Sequence, residues 1–183
     1  MNQNEKAIKI SVFIATSLDG FIARTSGSID WLIAADEQDS SEDFGYQEFY
    51  DSIDCLIMGR NSMEKVIAFP EWPYHDKRVI VLSNTLVEVP AQHVDKFELY
   101  SGSLNELVKR LEVDGCENLY IDGGKTIQSF IDSNLVTDIT ITTIPVLLGE
   151  GLSLFGKIRQ DIKLTHIETK SYPNGFVKST YEI

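Results

Sequence analysis

The chain has 183 residues, of which 43% are hydrophobic and 24% are charged, a composition typical of a globular protein rather than a disordered one. Its 16 basic and 28 acidic residues give a net charge of −12, and no dense basic cluster interrupts the acidic balance. The acidic composition therefore predicts that the protein binds neither nucleic acid nor anionic membranes. The length predicts one domain over residues 1–183.

The cysteines and the first residues of the chain bear on its compartment. Cys55 and Cys116 lie in or beside apolar segments and match no metal or redox spacing, so we expect two free thiols and no metal site. Residues 1–6 contain no apolar segment of the kind found in a signal peptide. No apolar run is long enough to cross a bilayer. These features predict a cytoplasmic protein.

Short apolar segments between turn residues predict the elements of the first half of the chain. In order, they are a strand over 8–15, a turn at 17–20, a strand over 21–23, a helix in the acidic stretch between Asp36 and Asp51 that ends near Ser52, a strand over 55–58, and a helix from about 60 to 67. A strand over 78–82 follows the loop that contains Pro70 and Pro73.

The second half continues this alternation and then becomes purely β. A short strand over 97–100 precedes a helix over 104–112, which begins with the capping-box sequence Ser103-x-x-Glu106. A strand over 119–122, a helix over 126–132, a long strand over 136–144 and a hairpin over 162–168 and 176–182 follow. The pattern predicts a three-layer α/β/α fold with a mixed, mainly parallel sheet and a C-terminal antiparallel hairpin.

Two strand-to-helix junctions combine glycine with a cation. Gly59 and Arg60 form the first, and Gly123-Gly124-Lys125 forms the second. The free N–H groups of a helix N-terminus favour an anion, and glycine allows a ligand to approach the backbone closely. Taken alone, Arg60 is equally consistent with a solvated surface cation. The second junction is not a P-loop, because leucine stands five positions before the second glycine of the pair.

The order of several such junctions is typical of a known family. They are Ser17-Leu18-Asp19-Gly20, Met58-Gly59-Arg60, Leu82-Ser83, Gly123-Gly124 and Pro145-Val146-Leu147-Leu148-Gly149. In this order the chain closely resembles the dihydrofolate-reductase superfamily, over residues 8–181. Within it, the chain is most similar to the RibD C-terminal family, the reductase domain of the bifunctional riboflavin-biosynthesis deaminase/reductase. The H-x-E and P-C-x-x-C motifs of the deaminase half do not occur in this sequence.

The resemblance implies an NADPH-dependent reductase that acts by hydride transfer on a small pterin-like or riboflavin-precursor-like substrate, and it implies a homodimer. A non-catalytic nucleotide-binding or sensing domain of the same fold is the alternative. The cofactor-binding residues that it implies are Ala15, Gly20, Gly59, Arg60, Asn61, Ser62, Ser83, Asn84, Gly123, Gly124, Lys125, Thr126 and Ile127. It also implies a cis peptide bond between Gly123 and Gly124. Asn84 stands where many relatives have arginine, which leaves the choice between NADPH and NADH open.

Asp30 is the candidate catalytic residue. Hydride transfer to a C=N or C=O bond needs a proton donor, and the neighbouring Trp31 and Leu32 provide an apolar setting that would raise the pKa of a carboxyl group. Members of the superfamily place a carboxylate that faces the substrate close to this point. The alternative is a helix N-cap, a position that aspartate commonly fills.

Overall fold

The computed structural model describes residues 7–36 and 42–183. One eight-stranded sheet runs through it, with the strands β1 (Lys9–Ser17), β3 (Cys55–Gly59), β4 (Arg78–Leu82), β5 (Glu98–Tyr100), β6 (Asn118–Asp122), β7 (Asp138–Ile144), β9 (Thr165–Ser171) and β10 (Val177–Glu182). Their order in the sheet is β5-β4-β3-β6-β1-β7-β10-β9. The six strands from β5 to β7 are parallel, whereas β10 is antiparallel to both β7 and β9.

Helices cover both faces of this sheet. They are α1 (Asp30–Asp36), α2 (Tyr46–Ser52), α3 (Arg60–Val66), α4 (Leu104–Val113) and α5 (Gly124–Asp132), with a short 3₁₀ helix at Ala91–His93. On one face α4 and α5 pack against Ile57 and Leu119, and on the other α2 and α3 pack against Leu56 and Met58. The strand residues from Cys55 to Met58 are therefore buried on both sides, as expected for a parallel strand between two helical layers.

The three-layer architecture and the C-terminal hairpin are confirmed. The strands Phe21–Ala23 and Arg78–Leu82 have the predicted bounds, and the capping box of Ser103 and Glu106 forms at the start of α4. The helix expected in the acidic stretch after Asp36 begins at Tyr46, preceded by Gly45 in a left-handed conformation. Residues 37–41 of that stretch, and residues 1–6, on which the signal-peptide prediction depended, lie outside the described residues.

A small second sheet lies beside the main one. Its strands are β2 (Phe21–Ala23) and β8 (Leu152–Ser153), which pair antiparallel, and we call this pair the β2–β8 ribbon. Two backbone hydrogen bonds connect the segments that flank these two strands. The N–H of Leu18 donates to the carbonyl of Val146, and the N–H of Leu154 donates to the carbonyl of Gly20. The ribbon stands at the carboxyl end of β1, which is where the candidate site lies.

Candidate functional site

The two glycine junctions meet because β3 and β6 are neighbours in the sheet, with Met58 paired to Asp122. Each turn packs against the first residues of the helix that follows the other turn. A Cβ atom on Gly123 would lie 2.5 Å from Ser62 Oγ, and one on Gly59 would lie 3.0 Å from Thr126 Oγ1. A side chain at Gly123 would therefore force the Ser62 hydroxyl to move, and the φ of 87° would strain any residue other than glycine there.

The start of α5 presents free backbone donors. Gly123 precedes the helix with φ 87° and ψ 133°, and no side chain caps it. The first N–H groups of a helix have no partner within the helix, and together with the helix dipole they favour an anion. The expected cis bond between Gly123 and Gly124 is wrong, because the bond is trans. The positive φ of Gly123 turns the chain into α5, so the turn does not depend on a cis bond.

A cleft of about 880 Å³ opens over these turns. The β2–β8 ribbon contributes Ile22 and Ser153 to its lining, and the starts of α3 and α5 contribute further residues. Among the described residues, four cations line the cleft, namely Arg60, Lys65, Lys125 and Lys157, against a single carboxylate, Asp122. A strongly acidic chain thus concentrates positive charge at one place.

Two of these cations also have partners in the protein. Arg60 Nε forms an ion pair with Glu64 Oε1 at 2.6 Å, one helical turn further along α3. Lys65 Nζ donates to the carbonyl of Gly27 and so links α3 to the loop between β2 and α1. Both contacts are exposed to solvent, where even an ion pair such as that of Arg60 contributes little, so an anionic ligand can compete for either cation.

Most of the cofactor-binding residues expected from the sequence come together in the cleft. Those that line it are Ala15, Gly59, Arg60, Asn61, Ser62, Gly123, Gly124, Lys125 and Thr126. Ser83, Asn84 and Gly20 do not line it, although Leu82, directly before Ser83, does. Ile127 does not line the cleft either: its side chain is fully buried and its N–H donates to the carbonyl of Gly123.

Asp30 is not in the apolar setting that the sequence suggested. Its carboxylate is exposed, accepts two hydrogen bonds from Arg24 and one from Ser28, and does not line the cleft. The hydrogen bonds with Arg24 lower the pKa of Asp30 to about 2, so the expectation of a raised pKa is wrong. The N-cap alternative also fails, because Asp30 is the first residue of α1 and its own N–H donates to Ser28 Oγ.

Asp122 is a carboxyl group in the cleft that the sequence analysis did not single out. It ends β6, directly before Gly123, and burial raises its pKa above 3.8 despite hydrogen bonds donated by the Ser62 hydroxyl and the Gly123 N–H. The Tyr120 hydroxyl lies 3.5 Å from Asp122 Oδ1. The available signal was a carboxylate between a buried strand and a pair of glycines. Asp122 therefore has the properties expected of Asp30, with a raised pKa and access to the cleft.

Comparison with known proteins matches residues 8–178 to the RibD C-terminal domain. The chain belongs to the RibD C-terminal domain family. It is 34% identical over 166 residues to YwjB, an uncharacterised protein of Bacillus subtilis, covering 90% of this chain and 92% of that one. The solved structure of a putative riboflavin biosynthesis protein from Shewanella sp. PV-4 is 39% identical with a TM-score of 0.90, covering 96% of this chain and 98% of that one.

The fold of the RibD C-terminal domain family extends to more distant proteins. The diaminohydroxyphosphoribosylaminopyrimidine deaminase/5-amino-6-(5-phosphoribosylamino)uracil reductase of Thermotoga maritima superposes with a TM-score of 0.72 at 16% identity. That match covers 97% of this chain and 57% of the Thermotoga chain. The resemblance to a riboflavin-biosynthesis reductase domain is thus confirmed at the level of family and fold. No helix in the described part of the chain is long and apolar enough to span a membrane.

Proposed function

We propose that residues 1–183 act as a single NADPH-dependent reductase domain, which reduces a small pterin-like or riboflavin-precursor-like heterocycle by hydride transfer. Membership in a family related to pyrimidine reductases supports this proposal. The observation that carries it is the charge of the cleft, where four cations face one carboxylate in a chain of net charge −12. A cleft lined by one sign of charge concentrates ligands of the opposite sign.

The lining of the cleft suits a dinucleotide in its different parts. Gly123, Gly124 and the free N–H groups at the start of α5 would hold the pyrophosphate, and Arg60 would meet a phosphate of the adenosine half. Ile14 and Ile22, which also line the cleft, offer an apolar surface to a nicotinamide ring. Ser83 and Asn84, which follow the cleft residue Leu82, would contact the adenosine half. Ala15 and Gly20 would lie at the nicotinamide end.

The bound cofactor would supply the hydride, and the chain must then deliver a proton to the nitrogen or oxygen of the reduced bond. We assign this proton to Asp122, since its carboxyl group reaches the cleft and burial raises its pKa. Burial raises the pKa of the neighbouring Tyr120, and the charge of Asp122 raises it further, so the Tyr120 hydroxyl stays neutral beside Asp122. Asp30 would affect the orientation of the substrate only indirectly, by holding the loop that it shares with Arg24.

Calorimetric titration with NADPH tests binding, and NADPH oxidation with a panel of pterins and ribityl-pyrimidines tests turnover.

The variant Gly124→Ala should bind NADPH at least roughly 10-fold more weakly, because its Cβ would lie 2.7 Å from Ile22 Cδ1 and narrow the cleft. The control is Gly102→Ala, at a glycine outside the cleft that likewise lacks a positive φ and whose Cβ atom would likewise crowd a side chain, that of Tyr100. Tight binding without turnover of any compound would favour the non-catalytic alternative. Absence of NADPH binding would refute the proposal.

We also propose that the domain acts as a cytoplasmic homodimer. All seven residues of β9 are exposed, although β9 belongs to an eight-stranded sheet. Its outer edge carries backbone groups that a second strand can pair with, and Ile167 on it is 49% exposed. The free thiols Cys55 and Cys116 fit a reducing compartment.

A further inference from the structure

The carboxylate of Asp19 joins two segments that are 129 and 130 residues apart in the chain. It accepts from the Ser17 hydroxyl at 2.6 Å, from the N–H of Leu148 at 3.1 Å and from the N–H of Gly149 at 2.8 Å. The Ser17 hydroxyl oxygen in turn accepts from the N–H of Phe21 at 3.0 Å. One side chain thereby fixes the turn after β1 to the loop after β7, and we call this set of hydrogen bonds the Asp19 clamp.

The Asp19 clamp lies at the base of the β2–β8 ribbon. The turn that it holds leads directly into β2, and the loop that it holds leads into β8. The ribbon rests on the start of α5, where Gly124 contacts Ile22 so closely that a Cβ atom would lie 2.7 Å from Cδ1 of Ile22. The Gln128 side chain donates to the carbonyls of Ser153 and Leu154 at 3.0 and 3.1 Å.

A carboxylate suits this position better than an amide. Two consecutive N–H groups, those of Leu148 and Gly149, converge on Asp19 together with a hydroxyl, and all three are donors. An ionised carboxylate only accepts, whereas asparagine would direct an NH₂ group at one of these donors. Asp19 itself does not line the cleft, so its effect on a ligand must act through the ribbon.

We propose that Asp19 is a positioning residue, which holds the β2–β8 ribbon over Gly124 and so sets the width of the cleft at its nicotinamide end. This inference rests on the proposed function for the identity of the ligand. The ribbon lines the nicotinamide end, while the phosphate-binding turns belong to other elements. Loosening the ribbon should therefore weaken contacts with the nicotinamide half of the cofactor and spare the adenosine half.

The test compares Asp19→Asn with the wild type in two titrations, one with NADPH and one with 2′,5′-ADP, which lacks the nicotinamide. We expect NADPH affinity to fall by roughly 10-fold, with little change for 2′,5′-ADP. Hydrogen exchange should accelerate at 20–23 and 152–154. The matched control is Asp54→Asn, since Asp54 Oδ2 also accepts from two consecutive N–H groups, those of Glu117 and Asn118 at 2.8 Å, at the opposite end of the sheet.

The outcomes of this test distinguish failure of the role of Asp19 from failure of the proposed function. An equal loss of both nucleotides in Asp19→Asn, or the same selective loss in Asp54→Asn, would show a general destabilisation and overturn the role of Asp19. A wild-type protein that binds neither nucleotide would overturn the proposed function instead. Hydrogen exchange then decides the positioning role alone: faster exchange confined to the ribbon supports it, and unchanged exchange there overturns it.

Discussion

Arg24 holds Asp30 through two hydrogen bonds, from Nε to Oδ1 at 2.8 Å and from Nη2 to Oδ2 at 3.0 Å. This planar, two-point contact is the strongest form of arginine–carboxylate pairing, and it keeps Asp30 ionised. An ionised carboxylate outside the cleft cannot donate the proton that a reduction requires. The pair closes the loop between β2 and α1, the same loop whose Gly27 carbonyl accepts from Lys65.

The first prediction separates the two candidate acids. Asp122→Asn should reduce turnover by roughly 100-fold or more, which is the usual effect of removing a positioned acid. Asp30→Asn should keep turnover close to that of the wild type, because Asp30 carries no transferable proton at neutral pH. Steady-state kinetics with any substrate from the panel provides the comparison, and Arg24→Gln is the control for loss of the ion pair. A 100-fold loss confined to Asp30→Asn would return the catalytic role to Asp30.

The second prediction concerns pH. Because burial raises the pKa of Asp122 above 3.8, the folded protein retains a proton that the unfolded chain releases. The contribution of Asp122 to stability is therefore present below pH 3.8 and is lost as the pH rises through its folded pKa. Asp122→Asn should remove this part of the pH dependence from the free energy of unfolding, measured by urea titration at several pH values.

In kinetics, kcat/KM of the wild type should fall as the pH rises past the same pKa. Identical pH profiles for the two proteins would contradict the assignment.

The third prediction concerns the choice of cofactor. Arg60→Ala should weaken NADPH by roughly 10-fold or more, the effect of losing a charged hydrogen bond, and should weaken NADH less. Glu64→Gln is the matched control, because it removes the partner of Arg60 while leaving the guanidinium in place. Its NADPH affinity should equal or exceed that of the wild type. Calorimetric titration of both nucleotides measures the effect, and equal affinities of the wild type for NADPH and NADH would show that the site has no preference for the 2′-phosphate.

The fourth prediction concerns assembly. Ile167→Lys should convert the proposed dimer to a monomer in light scattering at micromolar concentration, because it places a charge on the open edge strand β9. The control is Val113→Lys at the end of α4, where the valine is 87% exposed and away from that edge. A wild-type protein of monomer mass under these conditions would remove the homodimer from the proposal.

The sequence predicted the sheet well because its signals are local. The β-branched residues of Arg78–Leu82 and the capping box of Ser103 and Glu106 each determine structure within a few residues. The glycine turns of the cleft were found for the same reason. What the sequence could not supply was the neighbourhood of each carboxylate. The apolar neighbours of Asp30 in the chain are not its neighbours in space, because the turn at Gly27 brings Arg24 back to it.

Asp122 is the opposite case, because the pKa of its carboxyl group is raised although its neighbours in the chain do not indicate it. Its raised pKa comes from burial at the end of a strand whose two sides are covered by different helices, a relationship that no window of the sequence contains. Asp19 was identified only as part of a turn, since Leu148 and Gly149 lie far away in the chain. Long-range pairing of polar groups is thus the part of the site that depended on the structure.

The interlocking of Gly59 with Thr126, and of Gly123 with Ser62, limits how this protein can be re-engineered. Grafting the turn of a homologue at 59–62 to change cofactor preference would also change the surface on which the turn at 123–126 rests. Ser62 Oγ lies 2.5 Å from the position that a Cβ atom on Gly123 would occupy, so the residues at positions 62 and 123 must be compatible with each other. Successful exchanges should therefore transfer both turns as one cassette, even though more than 60 residues separate them in the chain.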